Sequence, residues 1–182
     1  FLIQKRLSTK KWKPGNKILI LTGGSDVKRL GDILPSKIDS LLKKQSRVHW
    51  VSGPFSKNPK LPKKRMLNWK IHQSPSFLDE LIVNSNYVLT VFGVSFFEVL
   101  QYGIPSVVFS PYDHKDDKDL DALSKEGVAV VAKNLDSALI KLVKLMENDK
   151  LAESLSRNSL LKMAKNGTYQ LSKTIVSLLE KK

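Results

Sequence analysis

The sequence predicts a three-layer α/β/α domain built on a mainly parallel, six-stranded sheet. Six short apolar runs alternate along the chain with segments whose apolar residues recur at helical spacing, which is the order of strand–helix–strand units. The first run, residues 18–21, is apolar throughout, as expected of a strand that is covered on both faces. A chain of 182 residues, 41% of them hydrophobic, is long enough to bury one such core.

The runs end at turn residues, which separate the elements clearly. Gly23 and Gly24 close the first run, and Gly53 and Pro54 close the second. One connection differs from the others, because residues 55–65 carry prolines and five basic residues and predict a loop. The predicted strands are residues 18–21, 47–51, 68–72, 87–91, 105–109 and 128–132. The predicted helices are residues 30–44, 76–84, 95–102 and 118–126, followed by three helices within 135–182 that are broken near 148–149 and 166–167.

These elements predict a single Rossmann-like domain over residues 17–165 and a C-terminal helix over residues 166–182. Residues 1–16 are basic and end in Pro14, Gly15 and Asn16, so they are expected to form a linker or interdomain segment. The chain begins with Phe1 and no secretory leader is evident, so it is expected to be a piece of a longer protein.

Composition excludes several classes of site. The chain has no cysteine, which removes zinc ribbons, iron–sulfur clusters, thiol catalysis and disulfide scaffolds. No two of the three histidines have metal-ligand spacing, so neither a catalytic metal nor another cofactor is predicted. No apolar run approaches the roughly 20 residues of a membrane span. The expected location is cytoplasmic, or peripheral to the inner face of a membrane.

The charge is unevenly distributed. The net charge is +14, and residues 1–74 hold 18 of the 31 Lys and Arg residues but 3 of the 17 Asp and Glu residues. Such a basic stretch attracts polyanions such as nucleic acid, anionic lipid or phosphorylated small molecules. A solvated lysine-rich face explains the same composition equally well, so charge alone assigns no partner.

Ligands of an open parallel sheet bind at the carboxyl ends of its strands, usually where the strand order reverses. Four chemically unusual loops of this chain follow predicted strands. The G-x-G-x-x-G fingerprint and the G-x-x-x-x-G-K phosphate loop are both absent, which argues against NAD binding and ATP hydrolysis of those types. The candidate residues in these loops are Gly24 and Ser25 after the first strand, His72, Gln73 and Ser74 after the third, Gly93, Val94 and Ser95 after the fourth, and Asp113, His114 and Lys115 after the fifth.

The loop at Gly93 is the most informative of the four. A glycine followed by the first turn of a helix presents free backbone N–H groups and the positive end of the helix dipole, which suits a diphosphate. Glu98 lies one turn into that helix, where a carboxylate can accept hydrogen bonds from both hydroxyls of a ribose. The spacing of Ser95 and Glu98 also fits a capping box, in which Glu98 would only stabilise the helix.

A purely structural role is considered for each of the three histidines as well. His49 alternates with apolar neighbours in a strand and is expected to pack in the core. His72, at a strand end, fits a pocket lining or a turn equally well. His114 lies in a polar loop and fits a ligand contact or a solvated charge.

The loops together resemble a known family. The chain resembles the C-terminal, donor-binding half of a GT-B fold glycosyltransferase over about residues 17–165. The similarity is to the branch that contains the MurG-type N-acetylglucosaminyltransferases, the UDP-sugar hydrolase of pseudaminic acid synthesis and the SpsG-like spore-coat polysaccharide proteins. It is carried by the Gly-Gly-Ser-Asp opening at residues 23–26, by the strand, Gly93 loop and Glu98 helix at residues 87–98, and by the Gly-Ile-Pro-Ser turn at residues 103–106.

The resemblance implies a role for each loop. It implies that Gly93, Val94 and Ser95, with Gly24 and Ser25, hold the diphosphate of UDP or a UDP-sugar, and that Glu98 holds the ribose. It also implies base contacts from His72, Gln73 and Ser74, and donor-sugar contacts from Asp113, His114 and Lys115. The family usually works without a bound metal, and its catalytic base usually comes from the N-terminal domain, so no catalytic residue is expected in this chain and the fragment alone is expected to be inactive.

Two departures from the family leave the sugar and the reaction type open. Phe92 precedes Gly93 where many relatives have a small residue, and the loop at residues 110–117 lacks the paired Gln residues of many transferases. The leading interpretation is a glycosyltransferase of polysaccharide or surface-glycan biosynthesis. The alternatives are half of a UDP-sugar hydrolase of the pseudaminic acid type and a basic module that binds nucleic acid or an anionic surface. Nucleic acid is disfavoured because the chain lacks an RNP-type aromatic pattern and a recognition-helix signature.

Overall fold

The computed structural model describes residues 6–112, 114–164 and 167–180, together with their side chains except those of residues 167–170. Its strands are β1 (Lys17–Leu21), β2 (Arg47–Ser52), β3 (Asn68–Gln73), β4 (Tyr87–Val91), β5 (Ser106–Phe109) and β6 (Val130–Ala132). Its helices are α1 (Leu30–Leu41), α2 (Leu78–Val83), α3 (Val94–Gln101), α4 (Asp117–Lys125), α5 (Leu135–Met146), α6 (Asp149–Met163) and α7 (Gly167–Leu179).

The six strands form one parallel sheet in the order β3-β2-β1-β4-β5-β6. This confirms the predicted Rossmann-like sheet. The chain moves outward from β1 through β2 to β3 and then crosses back to β4, so the strand order reverses between β1 and β4. Loops that follow these two central strands therefore diverge to opposite faces of the sheet and leave a crevice between them.

Helices cover both faces, which confirms the three layers. On one face α1, α5 and α6 pack on alternate residues of the strands, among them Ile18, Ile20, Trp50 and Leu89. On the other face α2, α3 and α4 pack on the intervening residues, among them Leu19 and Val108. The central strand β4 is buried along its whole length because both faces and both edges are covered.

The connection between β2 and β3 contains no helix, as the sequence predicts. It runs beside α1, where the buried carboxylate of Asp39 accepts hydrogen bonds from the backbone N–H groups of Met66 (2.9 Å) and Leu67 (3.2 Å) and from the indole Nε1 of Trp69 (2.8 Å). Leu67 is buried in the same core as α1. A single carboxylate thus holds the end of this loop against the helix that precedes it.

Residues 6–16 form neither helix nor strand but are bound to the domain at several points. Trp12 is buried, and its Nε1 donates to the backbone oxygen of Asn86 at 2.7 Å. The hydroxyl of the buried Tyr102 accepts hydrogen bonds from the backbone N–H groups of Arg6 (3.2 Å) and Leu7 (3.3 Å). Among the described residues, no helix has the length and apolar character needed to cross a bilayer.

Candidate functional site

A cleft of about 250 Å³ opens where the strand order reverses. The ends of β1, β2 and β3 form one side of it, and the first turns of α2 and α3 form the other. Its position matches the crevice in which sheets of this topology bind ligands. The lining residues are Leu21, Thr22, Gly23, Gly24, Val51, Ser52, Gly53, Pro54, Ser74, Pro75, Leu78 and Ser95.

Two buried hydroxyl groups line this cleft without a hydrogen-bond partner within the described residues. They belong to Thr22, which is 7% exposed, and to Ser52, which is 0% exposed. A buried hydroxyl that lacks a partner costs free energy, so nearly all such groups in proteins are paired with protein, water or ligand. Gln101 and Ser106, which do not line the cleft, also have a buried side-chain atom without a partner within the described residues, so the two hydroxyls do not by themselves mark a ligand site. Sequence reasoning missed both residues, although each directly precedes a glycine at the end of a predicted strand.

Glycines bring the backbone close to the cleft. A Cβ atom at Gly53 would lie 2.3 Å from the backbone oxygen of Gly24, so the two turns can touch only because position 53 has no side chain. A Cβ atom at Gly24 would meet nothing within 4 Å, which leaves open space in front of its backbone. Gly23 has φ +86°, a conformation that favours glycine.

The amino end of α3 faces the same region. Gly93 is the N-cap residue, with φ +158° and ψ −171°, and no side chain caps the helix. A Cβ atom at Gly93 would also meet nothing within 4 Å. Ser95 lies at the second helical position and not at the N-cap, so the capping box does not form. The free N–H groups of this first turn and the helix dipole can bind an anion.

Glu98 lies one turn further along α3 and is half-buried. Burial raises its pKa above the ordinary value, and the carboxylate of Asp79 on α2 raises it further. The guanidinium of Arg6 and a hydrogen bond from Ser95 act in the opposite direction. The carboxyl group therefore sits among three neighbours that control its charge.

The structure separates Gly24 from Ser25. Gly24 lines the cleft, whereas Ser25 lines a depression of about 290 Å³ next to it, together with Arg29, Phe55 and other residues. The carboxylate of Asp26 accepts hydrogen bonds from the N–H groups of Leu30 (2.9 Å) and Gly31 (2.8 Å). The first turn of α1 is thus occupied by the protein's own carboxylate, in contrast to the first turn of α3.

The three residues predicted to contact the base are placed differently. Ser74 lines the cleft, with φ +41° and its N–H donating to the backbone oxygen of Ser52 at 2.8 Å. The side-chain Nε2 of Gln73 donates to the backbone oxygen of Gly53 at 3.3 Å. His72 instead stacks on His49, with 3.1 Å between its Nε2 and the Nδ1 of His49.

His49 is therefore half-buried beside His72 near the sheet edge, and not in the core as expected. Burial is the main cause that lowers the pKa of His49 to about 4 and also lowers the pKa of His72. Three basic side chains, Lys17, Arg47 and Lys70, add to the effect on His49. Both rings are consequently neutral at pH 7.

A second cleft, of about 600 Å³, opens at the ends of β5 and β6 and contains one of the residues predicted to contact the donor sugar. His114 lines it and pairs through Nδ1 with Asp117 at 2.8 Å. The Nζ of Lys115 lies 5.3 Å from the centre of the Tyr112 ring. Asp113 lies outside the described residues. Within the part of the chain that the structure describes, no cluster of three or more His, Asp or Glu side chains could hold a metal ion.

No family model and no curated protein matches this chain in sequence. Solved structures match it in fold. MurG from Acinetobacter baumannii has a TM-score of 0.67 and 18% identity, and the match covers 93% of this chain and 50% of that one. The kitacinnamycin glycosyltransferase has a TM-score of 0.69 and 17% identity over 97% of this chain and 48% of that one.

The fold is that of one half of a GT-B glycosyltransferase. A third structure, of TarM from S. aureus in complex with UDP and two sugar ligands, has a TM-score of 0.68 and 14% identity, over 97% of this chain and 38% of that one. The chain thus spans about half, or less, of the length of these glycosyltransferases. Identities below 20% establish the shared fold, and the activity has to be argued from the cleft itself.

Proposed function

We propose that this chain is the nucleotide-diphosphate-sugar-binding half, the C-terminal half, of a glycosyltransferase of polysaccharide or surface-glycan biosynthesis, with a UDP-sugar as donor. The observation that carries the proposal is the cleft at the reversal of strand order, which is lined by Gly24 and by Ser95 of the uncapped first turn of α3. Of the solved structures with the same fold, TarM is bound to UDP and SsfS6 to thymidine diphosphate.

In this proposal the diphosphate lies at the first turn of α3. The backbone N–H groups of Val94 and Ser95 donate to it, and the open space in front of Gly24 and Gly93 lets it approach the backbone closely. The base occupies the cleft between the turns at Gly53 and Ser74, where Thr22 and Ser52 supply hydroxyl groups. The ribose hydroxyls donate to the carboxylate of Glu98.

The chemistry then follows from where charge develops. When the bond between the anomeric carbon and the diphosphate oxygen breaks, the leaving nucleoside diphosphate gains negative charge. The positive end of the α3 dipole is already aimed at that position and stabilises the charge without a metal ion. The group that deprotonates the acceptor hydroxyl belongs to the N-terminal domain of the whole enzyme. A hydrolase would use the same half and differ only in directing water to the anomeric carbon.

Calorimetry and thermal unfolding with UDP, CDP, GDP and ADP test the proposal. UDP at 100 times its dissociation constant is expected to raise the free energy of unfolding by about 2.7 kcal/mol. The other nucleotides are expected to bind more weakly. The absence of UDP binding at millimolar concentration would refute the proposal. Binding of DNA at about 150 mM salt in its place would favour the basic-module alternative.

A pair of glycine variants locates the site. Gly24→Ala adds a methyl group that meets no protein atom, so the variant is expected to keep its free energy of unfolding within about 1 kcal/mol. The same methyl group occupies the cleft, and UDP affinity is expected to fall about tenfold or more, the usual cost of an extra methyl group in a packed contact.

Gly53→Ala is a contrasting variant for stability, because its methyl group would lie 2.3 Å from the backbone oxygen of Gly24. This variant is expected to lose about 1–3 kcal/mol of stability, because backbone must move. Chemical denaturation and calorimetry measure both quantities. Unchanged UDP affinity in Gly24→Ala would place the nucleotide elsewhere.

A further inference from the structure

Three charged side chains lie near the buried Tyr102. Arg6, in the segment before β1, pairs with Asp79 on α2, and Glu98 lies one helical turn before Tyr102 at the end of α3. The Nε of Arg6 lies 3.9 Å from the Oδ2 of Asp79, whose side chain is only 13% exposed. Asp79 follows Leu78 and Glu98 lies one turn after Ser95, and both Leu78 and Ser95 line the cleft. The cluster is therefore continuous with the cleft wall.

The buried Tyr102 fixes the segment that carries Arg6. Its hydroxyl accepts hydrogen bonds from the backbone N–H groups of Arg6 and Leu7 and donates to the carboxylate of Asp79. The Tyr102 side chain is 1% exposed, so the position of its hydroxyl is set by the core. Arg6 is thus bound to Tyr102 through its backbone N–H and to Asp79 through its guanidinium.

The cluster contains two carboxylates and one cation. Burial raises the pKa of Glu98, and the carboxylate of Asp79 raises it further. The groups that counter this are the guanidinium of Arg6 and the hydrogen bond from Ser95 on the same helix as Glu98. A carboxyl group accepts hydrogen bonds through both oxygens only when it is ionised, so the state of Glu98 decides how well it can hold a ribose.

We infer that Arg6 is a positioning residue for the nucleotide: it balances the charge of Asp79 and thereby keeps Glu98 ionised and able to accept hydrogen bonds from the ribose hydroxyls. The inference rests on the proposed function, because it assigns Glu98 to a ribose. It also connects the segment before β1 to nucleotide affinity, although Arg6 itself does not line the cleft.

The experiment measures dissociation constants of UDP and of 2′,3′-dideoxy-UDP between pH 5 and pH 8 on the 182-residue chain and its variants. Arg6→Met is expected to weaken UDP binding about twofold to fivefold at pH 6, a size typical of a part-exposed charge interaction. The affinity of the dideoxy compound is expected to stay unchanged, because it has no ribose hydroxyls to offer Glu98. In Arg6→Met the pH at which UDP affinity is half-maximal is expected to be higher than in the wild type. At pH 8 the UDP affinities of the two proteins are expected to be equal.

Three further variants separate charge from structure. Arg6→Lys is expected to keep UDP affinity within about twofold. The double variant Arg6→Met/Asp79→Asn is expected to recover it, because the negative charge that Arg6 balances is gone. Lys10→Met is the matched control, since Lys10 lies in the same segment but bonds to Asn84.

Each contrary outcome has a definite meaning. If wild-type protein fails to bind UDP, the proposed function fails. If wild-type protein binds UDP and Arg6→Met has the same affinity and pH profile, only this inference fails. It also fails if Arg6→Met weakens UDP and the dideoxy compound equally without a shift along the pH axis, because that pattern shows a general loosening of the segment.

Discussion

At the scale of single residues, the buried hydroxyl groups in the part of the chain that the structure describes differ in whether they have a hydrogen-bond partner, and Ser106 in the core shares the lack of one with the cleft residues. The hydroxyl of Ser159, which is also buried, lies 2.8 Å from the backbone oxygens of both Val128 and Leu155 and can donate its hydrogen to either. Thr22 and Ser52 have no such partner within the described residues. Binding sites are often less stable than they could be, because groups reserved for a ligand stay unsatisfied without it.

Apolar replacements of these hydroxyls are therefore expected to separate stability from binding. Thr22→Val keeps the shape of the side chain and removes an unpaired hydroxyl, so the free energy of unfolding is expected to stay level or rise by up to about 1 kcal/mol. Affinity for UDP is expected to fall about fivefold, the loss of roughly one hydrogen bond. Urea denaturation and calorimetry measure the two effects.

Ser159→Ala serves as the control for Thr22→Val. Its hydroxyl is fully satisfied, so the variant is expected to lose about 1 kcal/mol of stability and to keep its UDP affinity. If Thr22→Val is destabilised as much as Ser159→Ala, then the Thr22 hydroxyl has a partner within the folded chain and does not indicate a ligand.

At the scale of elements, the sequence predicts what depends on local pattern. The strand over residues 87–91 is found as predicted because a run of five buried residues is recognisable from hydropathy alone. Helix ends are less well predicted, and α2 covers Leu78–Val83 where the pattern favours 76–84. Gly24, Ser74 and Ser95 could be placed near one cleft because the carboxyl ends of parallel strands share an edge.

Contacts that depend on strand register or turn geometry could not be predicted. Ser25 lines a separate depression, where the next residue, Asp26, adopts φ +45° and caps α1. His49 meets His72 because β2 and β3 are neighbours and Val51 is the register partner of His72, which sets the two rings diagonally on one face. Neither the strand order nor the register is visible in the separate segments.

The link between α1 and the loop before β3 depends on one ionised side chain. Burial alone would raise the pKa of Asp39, but the hydrogen bonds from Trp69, Met66 and Leu67 lower it overall, below 3.8. A carboxyl group whose pKa is lower in the folded state stabilises the protein above its unfolded pKa. That contribution is lost as the pH falls through the folded pKa.

Asp39→Asn is accordingly expected to lower the free energy of unfolding at pH 7 by about 2–3 kcal/mol, since an amide accepts fewer hydrogen bonds and places an NH₂ group against the N–H donors. Its stability is also expected to fall less steeply than that of the wild type below pH 4. Urea denaturation at pH 7 and between pH 4 and pH 2 checks both. If the free energy of unfolding of the variant falls as steeply as that of the wild type between pH 4 and pH 2, then the ionisation of Asp39 does not contribute to the acid sensitivity of the fold.

At the scale of the whole molecule, charge and topology combine in the half of the sheet that precedes β4. Residues 1–74 hold most of the excess positive charge and also contribute β1, β2 and β3. Side chains alternate between the two faces along a strand, so five basic or imidazole side chains of β1, β2 and β3 lie on one face: Lys17, Arg47, His49, Lys70 and His72. None of these three strands contains an acidic residue. Protonation of the two imidazoles would therefore add charge to a face that is already positive.

This arrangement predicts how the stability of the protein depends on pH. The pKa of His49 is lowered to about 4 and that of His72 is also lowered, whereas both are near 6.5 in the unfolded chain. Between pH 6.5 and pH 4 the unfolded state binds more protons, so the free energy of unfolding is expected to decrease as the pH falls.

His49→Phe keeps an aromatic ring on His72 and removes the more strongly shifted group. The variant is expected to reduce the loss of stability between pH 6.5 and pH 4 by about 1–2 kcal/mol, as read from urea denaturation at closely spaced pH values. Added salt, about 0.5 M, is expected to screen the share due to Lys17, Arg47 and Lys70 but not the share due to burial, so part of the slope remains in the wild type. If the free energy of unfolding depends on pH in the same way in the variant and the wild type at both salt concentrations, then the pKa of His49 is not lowered by folding.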